Sequence, residues 1–188
     1  MKTYQPITPE IIEKLKAITG PTYVKTDRDM LLQYQTDYET NPAMFHVPDA
    51  AVSPANAQEI SEIVKLANEY DFPITVRSGG TSLADGAIPV CGGLVLCMDR
   101  LNKILELNEE GMYMTVEAGV RTVDLQNAAK KVGLMYAGDP SSAESSLIGG
   151  NLATNAGGLR AVRYGVTRDQ VYCLEVVTPT GDIVECGR

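Results

Sequence analysis

The stretch Ser145-Ser-Leu-Ile-Gly-Gly-Asn-Leu-Ala-Thr-Asn-Ala-Gly-Gly158 is the most constrained part of this chain. Gly149 and Gly150 sit where a helix would begin, Asn151 and Asn155 are four apart and so share a helix face, and Gly157-Gly158 end the turn. A helix start ringed by small residues lets an anion approach its N–H groups. The other reading of the same glycines is a tight helix-to-sheet crossing that needs them only for packing. A second segment, Arg77-Ser-Gly-Gly-Thr-Ser-Leu-Ala-Asp-Gly86, leaves a predicted strand directly. Adjacent glycines remove the side chains that keep a ligand away, so several N–H groups can converge on one anion. Ser78, Thr81 and Ser82 add hydroxyls, and Arg77 supplies a charge to the anion or to a salt bridge elsewhere.

Around these loops the periodicity predicts an α+β chain with parallel and antiparallel strands. Thr8-Pro9-Glu10 opens a helix with Ile11, Ile12, Leu15 and Ile18 at helical spacing before Gly20, and a short helix follows over 29–34. Residues 38–54 carry three prolines and enter a strand at 50–52. Asn56 with Glu59 resembles a capping box for a helix ending near Tyr70, and 73–76 is the next strand, giving a strand–helix–strand unit of the parallel type. A continuous apolar strand covers 94–98. The runs 104–107 and 112–117 form a hairpin whose Met112, Met114 and Val116 alternate with Tyr113, Thr115 and Glu117. A capped helix starts at Thr122 and stops at Gly133, and a second hairpin pairs 173–178 with 182–186.

Composition narrows the function. The 188 residues are 44% hydrophobic and 21% charged, which suits a single soluble domain with its own core. Acidic residues outnumber basic ones 24 to 16, a formal net charge of -8, which argues against a nucleic-acid surface. The start, MKTYQPITPEIIEKL, lacks the apolar run and small-residue site of a secretory signal, and no segment approaches the ~20 apolar residues of a membrane span. Cys91, Cys97, Cys173 and Cys186 have no C-x-x-C spacing and His46 is the single histidine, so no metal site is expected. The thiols are expected buried or half-buried in strands of a reduced, cytoplasmic protein. The P-loop pattern G-x-x-x-x-G-K-[ST] and the dinucleotide pattern G-x-G-x-x-G are both missing. What remains is a polyanion held by backbone donors of two glycine segments.

Four motifs in order, 77–89 (Arg-Ser-Gly-Gly-Thr-Ser-Leu-Ala-Asp-Gly-Ala-Ile-Pro), Val116-Glu-Ala-Gly119, 148–158 (Ile-Gly-Gly-Asn-Leu-Ala-Thr-Asn-Ala-Gly-Gly) and 163–169 (Arg-Tyr-Gly-Val-Thr-Arg-Asp), resemble the FAD-binding domain of the vanillyl-alcohol-oxidase (PCMH-type) flavoproteins. Within them the look is of the branch that holds glycolate oxidase and the FAD-dependent D-lactate dehydrogenases. The resemblance covers 44–188, with 1–43 as an N-terminal helical extension, and implies two α+β subdomains with FAD between them. Carried over by motif, Arg77, Ser78, Gly79, Gly80, Thr81, Ser82 and Gly86 would bind the pyrophosphate. Pro140, Ser141, Ser146, Gly149, Gly150, Asn151, Ala153, Asn155 and Gly157 would line the pyrophosphate and isoalloxazine side.

The implied chemistry is oxidation of a small-molecule 2-hydroxy acid by hydride transfer to FAD, with electrons passed to an electron-transferring flavoprotein or an iron–sulfur subunit. No catalytic residue is assigned, and Arg160, Arg163 and Arg168 are as readily structural as functional. Family members continue beyond this point into a substrate domain, so the chain reads as the N-terminal portion of a longer enzyme, by itself inactive. Another oxidoreductase of the same superfamily, or a flavin-binding module without catalysis, are the competing readings. Some relatives attach FAD through a histidine in the first glycine loop; Thr81 occupies that loop here, so the cofactor is expected to be non-covalent. Denaturing the flavin-loaded protein and separating it by size should leave all yellow colour with the small molecules. Colour that stays with the chain overturns this expectation.

Overall fold

The computed structural model describes residues 3–38 and 41–187. Residues 1, 2, 39, 40 and 188, which the expected segments include, lie outside the described residues. Helix α1 (Pro9–Thr19) is capped by Thr8, whose hydroxyl accepts the Ile11 N–H at 3.4 Å, and Pro9 takes a first-turn place where no N–H is needed. Helix α2 (Arg28–Leu31) runs into a 3₁₀ turn over Leu32–Tyr34. Helix α3 (Ala57–Tyr70) is capped by Asn56, which accepts the Glu59 N–H at 2.9 Å. The Glu59 carboxylate reaches back one residue further than a capping box requires, to the Ala55 N–H at 2.7 Å.

Four strands, β1 (Val24–Lys25), β2 (Ala50–Val52), β3 (Ile74–Arg77) and β4 (Leu94–Cys97), form one sheet in the order β1-β2-β4-β3. β2 and β3 both run parallel to β4, which lies between them, while β1 is antiparallel to β2. The expected strand–helix–strand unit is present, but its two strands are not neighbours: the fully buried run Leu94–Cys97 takes the centre and relegates β3, half-exposed at Val76, to the edge. One sheet face packs Val52, Leu94 and Leu96 against Ile11 and Leu15 of α1 and Ile63 and Leu66 of α3. Each such side chain contributes about 1.5–3 kcal/mol by leaving water. The other face carries Ala51, Val95 and Cys97 under Leu31 and Tyr34. Arg100 ties the corner together. Its guanidinium lies 3.5 Å from the Tyr23 ring centroid and donates to Thr19 O and Ser53 O, 3.7 Å from Glu59.

A second lobe comprises the hairpin β5 (Ile104–Asn108) and β6 (Tyr113–Val116), helix α4 (Thr122–Lys131) and helix α5 (Ile148–Thr154), around a small core of Val120, Leu125 and Ile148. The chain then passes through a single turn α6 (Ala161–Tyr164) into the hairpin β7 (Cys173–Val177) and β8 (Ile183–Gly187). The tip of that hairpin returns to the first lobe. Ser61 of α3 donates to Gly181 O and Asn68 donates to Pro179 O at 2.8 Å. No helix among the described residues is long and apolar enough to cross a membrane.

Two local expectations are corrected. Met112 is not part of the buried face of β6: it sits in the turn at φ +52° and is exposed, while Met114 and Val116 pack inward as the alternation requires. Of the cysteines only Cys97 is buried; Cys91, Cys173 and Cys186 are exposed, the last two because both strands of the β7–β8 hairpin are largely open to solvent.

The lobes cross where residues 117–119 return beneath the end of β4. The Gly119 N–H donates to Leu101 O at 2.6 Å, and a Cβ on Gly119 would collide with Met98 O. Gly119→Ala should therefore cost about 1–3 kcal/mol through forced backbone movement; urea melts of the two proteins check this, and equal stability would contradict the crossing. Burial pushes the Cys97 thiol up to about 11. Because only thiolate reacts, iodoacetamide at mildly alkaline pH should modify Cys91, Cys173 and Cys186 and spare Cys97 until denaturant is added, as read by peptide mass spectrometry. The linked stability is full below the ordinary thiol value of 9.0 and is lost as pH rises through about 11, since only the unfolded chain ionises readily in that window.

Candidate functional site

The loop after β3 leaves the carboxyl end of a parallel strand, the usual place for a ligand crevice in such sheets. The N–H groups of Ser78, Gly79, Gly80, Thr81 and Ser82 find no hydrogen-bond acceptor among the described residues. Consecutive N–H groups of this kind in a glycine loop can converge on an external acceptor. Gly80 adopts φ +64°, open to glycine at little cost. The place a Cβ would take at Gly80 is filled by the Arg77 guanidinium.

Arg77 itself turns under the loop. Its Nη1 donates to Thr36 O at 2.7 Å and lies 3.5 Å from Ala87 O, and the guanidinium faces the Tyr34 ring at 5.8 Å. Burial lowers its pKa from the usual value, opposed by Cys97, Asp37 and Tyr34. Of its two sequence readings, the geometry gives it bonds to the chain on either side of the loop. Tyr34 receives a hydrogen bond from Lys25 Nζ at 2.6 Å, and that bond raises the Lys25 pKa. Neither Tyr34 nor Thr36 lies in any glycine motif.

The second segment packs directly on the first. A Cβ on Gly79 would strike Ser145 O and lie 3.2 Å from Ser146 Cα, and a Cβ on Gly150 would lie 3.0 Å from Ser78 Cβ. A Cβ on Gly149 would lie 3.0 Å from both Ala118 Cβ and Ala118 O. The first N–H groups of α5 do not stay free for an anion: Ile148 donates to Val120 O at 2.9 Å, Gly149 to Ala118 O at 2.8 Å, and Gly150 to Leu147 O at 3.0 Å. Gly149 is thus closely packed on Ala118, with its N–H paired, whereas the N–H groups of the 78–82 loop have no acceptor among the described residues.

Asn151 and Asn155 part ways because α5 ends at Thr154. Asn151 is buried, and its Nδ2 donates to Thr122 Oγ1 at 2.6 Å; Thr122 Oγ1 in turn lies 2.8 Å from Ser146 Oγ. Asn155 sits at φ +50°, exposed, its Oδ1 accepting the Arg168 N–H at 3.0 Å. Thr122 is the first residue of α4, not its cap: Arg121 takes the cap position, and the Thr122 side chain reaches across to Ser146. No motif marked Thr122, and only its position at a predicted helix start drew attention to it.

Ser141, Ala153 and Gly157 are exposed, Pro140 is half-buried with its carbonyl accepting Ala143 N–H at 3.0 Å, and Gly86 lies 3.7 Å from Ser82 Oγ by its Cβ direction. Gly158 presses on Asp139 O, which brings the 138–141 turn against the end of the second segment. Arg160 pairs with Asp139 at 3.5 Å, Arg163 lies over the Tyr164 ring at 5.2 Å and Arg168 is 3.9 Å from Asp169.

Residues 48–187 match the sequence profile of a FAD binding domain family. The chain is 43% identical over 181 residues to glycolate oxidase subunit GlcD of Bacillus subtilis, covering 96% of this chain and 38% of that protein. It is 37% identical over 187 residues to a D-lactate dehydrogenase of Anaerostipes hadrus, covering 98% and 38% respectively. It therefore spans well under half the length of the curated relatives it matches. Among solved structures, an alkyldihydroxyacetonephosphate synthase superposes with a TM-score of 0.84 at 28% identity, over 95% of this chain and 38% of that one. A p-cresol methylhydroxylase superposes at 0.74 and 25% identity, over 93% and 34%. With glycine loops meeting across two α+β lobes and a profile match over most of its length, the chain belongs to the FAD binding domain family of PCMH-type oxidoreductases.

Proposed function

We propose that this chain is the cofactor-holding part of a flavin-dependent oxidoreductase that converts a D-2-hydroxy acid of the lactate or glycolate type into its 2-oxo acid. The observation that carries the cofactor assignment is the run of unpartnered N–H groups from Ser78 to Ser82 beside a glycine-on-backbone contact with Ser145 and Ser146. The donors present suit a pyrophosphate. Its charges would be met by backbone dipoles and by the Ser78 and Thr81 hydroxyls, with Gly79 and Gly80 leaving room for close approach. Ser141, Ala153, Asn155 and Gly157 are exposed and small or amide-bearing, which suits the approach of a planar ring. With Thr81 in the first loop, attachment would be non-covalent.

The substrate class rests on the relatives, whose names are D-lactate dehydrogenase, D-2-hydroxyglutarate dehydrogenase and glycolate oxidase. FAD, when bound, accepts the hydride that leaves the hydroxyl-bearing carbon, while the hydroxyl proton goes to a base. This chain's part is to bind and orient. Arg77 and Tyr34 fix the base of the loop from below, and Thr122, Ser146 and Asn151 fix the opposite wall. A protein electron acceptor, flavoprotein or iron–sulfur, completes the proposal.

The test mixes the FAD-loaded protein, expressed from its whole open reading frame, anaerobically with D-lactate, glycolate or D-2-hydroxyglutarate and follows the visible flavin absorbance. Bleaching with at least one D-2-hydroxy acid is expected. A protein that holds FAD yet keeps full absorbance with all of them loses the substrate assignment, and a protein that retains no FAD loses the cofactor assignment as well.

A further inference from the structure

Thr122 is fully buried, at 0% exposure, and its two partners Ser146 and Asn151 are at 2% and 4%. Its contacts reach far along the chain: Ser146 is 24 residues away and Asn151 is 29. The amide nitrogen of Asn151 can only donate, so the Thr122 hydroxyl oxygen accepts at 2.6 Å. The Thr122 N–H donates to Ser146 O at 3.0 Å, and the hydroxyl lies 3.3 Å from that carbonyl and 2.8 Å from Ser146 Oγ. One side chain thus grips the end of the 142–146 turn and the second turn of α5 together.

Both gripped residues stand directly behind the contact between the lobes. Gly79 abuts Ser145 O and Ser146 Cα, and Gly150, the residue before Asn151, abuts Ser78 Cβ. Any shift of Ser146 or Asn151 is passed through these contacts to the loop whose N–H groups are unpartnered, because backbone meets backbone at Gly79 and only the short Ser78 side chain lies between at Gly150. A valine at 122 would fill nearly the same volume without burying a hydroxyl. A buried polar trio placed at this seam gains fixed directions that apolar packing lacks.

We infer that Thr122 is a positioning residue of the cofactor cleft, its hydroxyl setting the spacing between the 78–82 loop and the α5 wall. The inference rests on the cofactor reading above, and the experiment separates the two. FAD is titrated into the native chain, Thr122→Val and Thr122→Ser, with flavin fluorescence giving affinity and the absorption band shape of the bound flavin giving its surroundings. Thr122→Val should bind about tenfold more weakly, equivalent to about 1.4 kcal/mol, with an altered band shape at saturation. Thr122→Ser keeps the hydroxyl and should restore both. If the native chain binds no FAD, the cofactor reading itself fails. If the native chain binds and Thr122→Val matches it in affinity and spectrum, this inference alone fails. Should Thr122→Val not fold, Ser146→Ala takes its place: weaker binding beside an unchanged Thr122→Ser supports the role, and binding equal to the native chain overturns it.

Discussion

The centre of this molecule depends on glycines whose missing Cβ lets one chain segment lie directly on another. Gly119 lies on Met98 O at the end of β4, Gly149 lies on Ala118 beside it, Gly150 lies on Ser78, and Gly79 lies on Ser145. Followed in order, these contacts run from the central strand of the first sheet, across the return of the second lobe, along the start of α5, and back to the loop at the end of β3. Two of these junctions, at Gly119 and Gly79, are main chain on main chain, and the other two meet only the short side chains of Ala118 and Ser78, so the lobes are registered by atoms with little freedom to adjust.

That registration explains how an acidic chain can serve an anionic cofactor. With a formal net charge of -8, a basic cleft is not what the composition provides. Two arginines near the glycine segments bond to the chain itself: Arg77 to Thr36 O and Ala87 O, Arg160 to Asp139. In the proposed reading peptide dipoles take over the task, and they act on a ligand only if the loop is held still and uncovered. Gly79 and Gly80 uncover it; the contact with Ser145 and Ser146 holds it.

The elements with a clear period were legible in the sequence. Thr8-Pro9 and Asn56 start α1 and α3 as their capping chemistry dictates, and Ile63 and Ala67 face the core at helical spacing with Ile60 packed against it. Strand order was not legible, because a parallel unit with a right-handed connection leaves open whether a later strand inserts between its two members; the greater apolarity of Leu94–Cys97 over Ile74–Arg77 was the one hint. The glycine segments announced a special backbone, but two physical causes produce the same residue. A glycine needed to admit a ligand and a glycine needed to admit Ala118 are identical letters, and only the acceptor found by the Gly149 N–H distinguishes them. Thr122 was hidden for a related reason: a threonine at a helix start reads as local capping, whereas its partners lie 24 and 29 residues on.

Arg77 shows how the two lobes divide the work. A guanidinium placed in a partly buried position loses hydration, and the lowered pKa reflects that cost. The cost is offset by the Thr36 and Ala87 carbonyls, by the Tyr34 ring and by the neighbouring Asp37. Thr36 comes well before the loop in sequence and Ala87 directly closes it, so one planar group spans the base of the loop much as the Thr122 hydroxyl spans the opposite wall. Both carbonyls are met by the one Nη1 nitrogen, and lysine would carry the same charge without the planar group that also faces the Tyr34 ring. The first lobe therefore fixes the loop from beneath with a charge bonded to the chain, the second lobe fixes it from the side with neutral hydrogen bonds, and the N–H groups between them have no acceptor among the described residues.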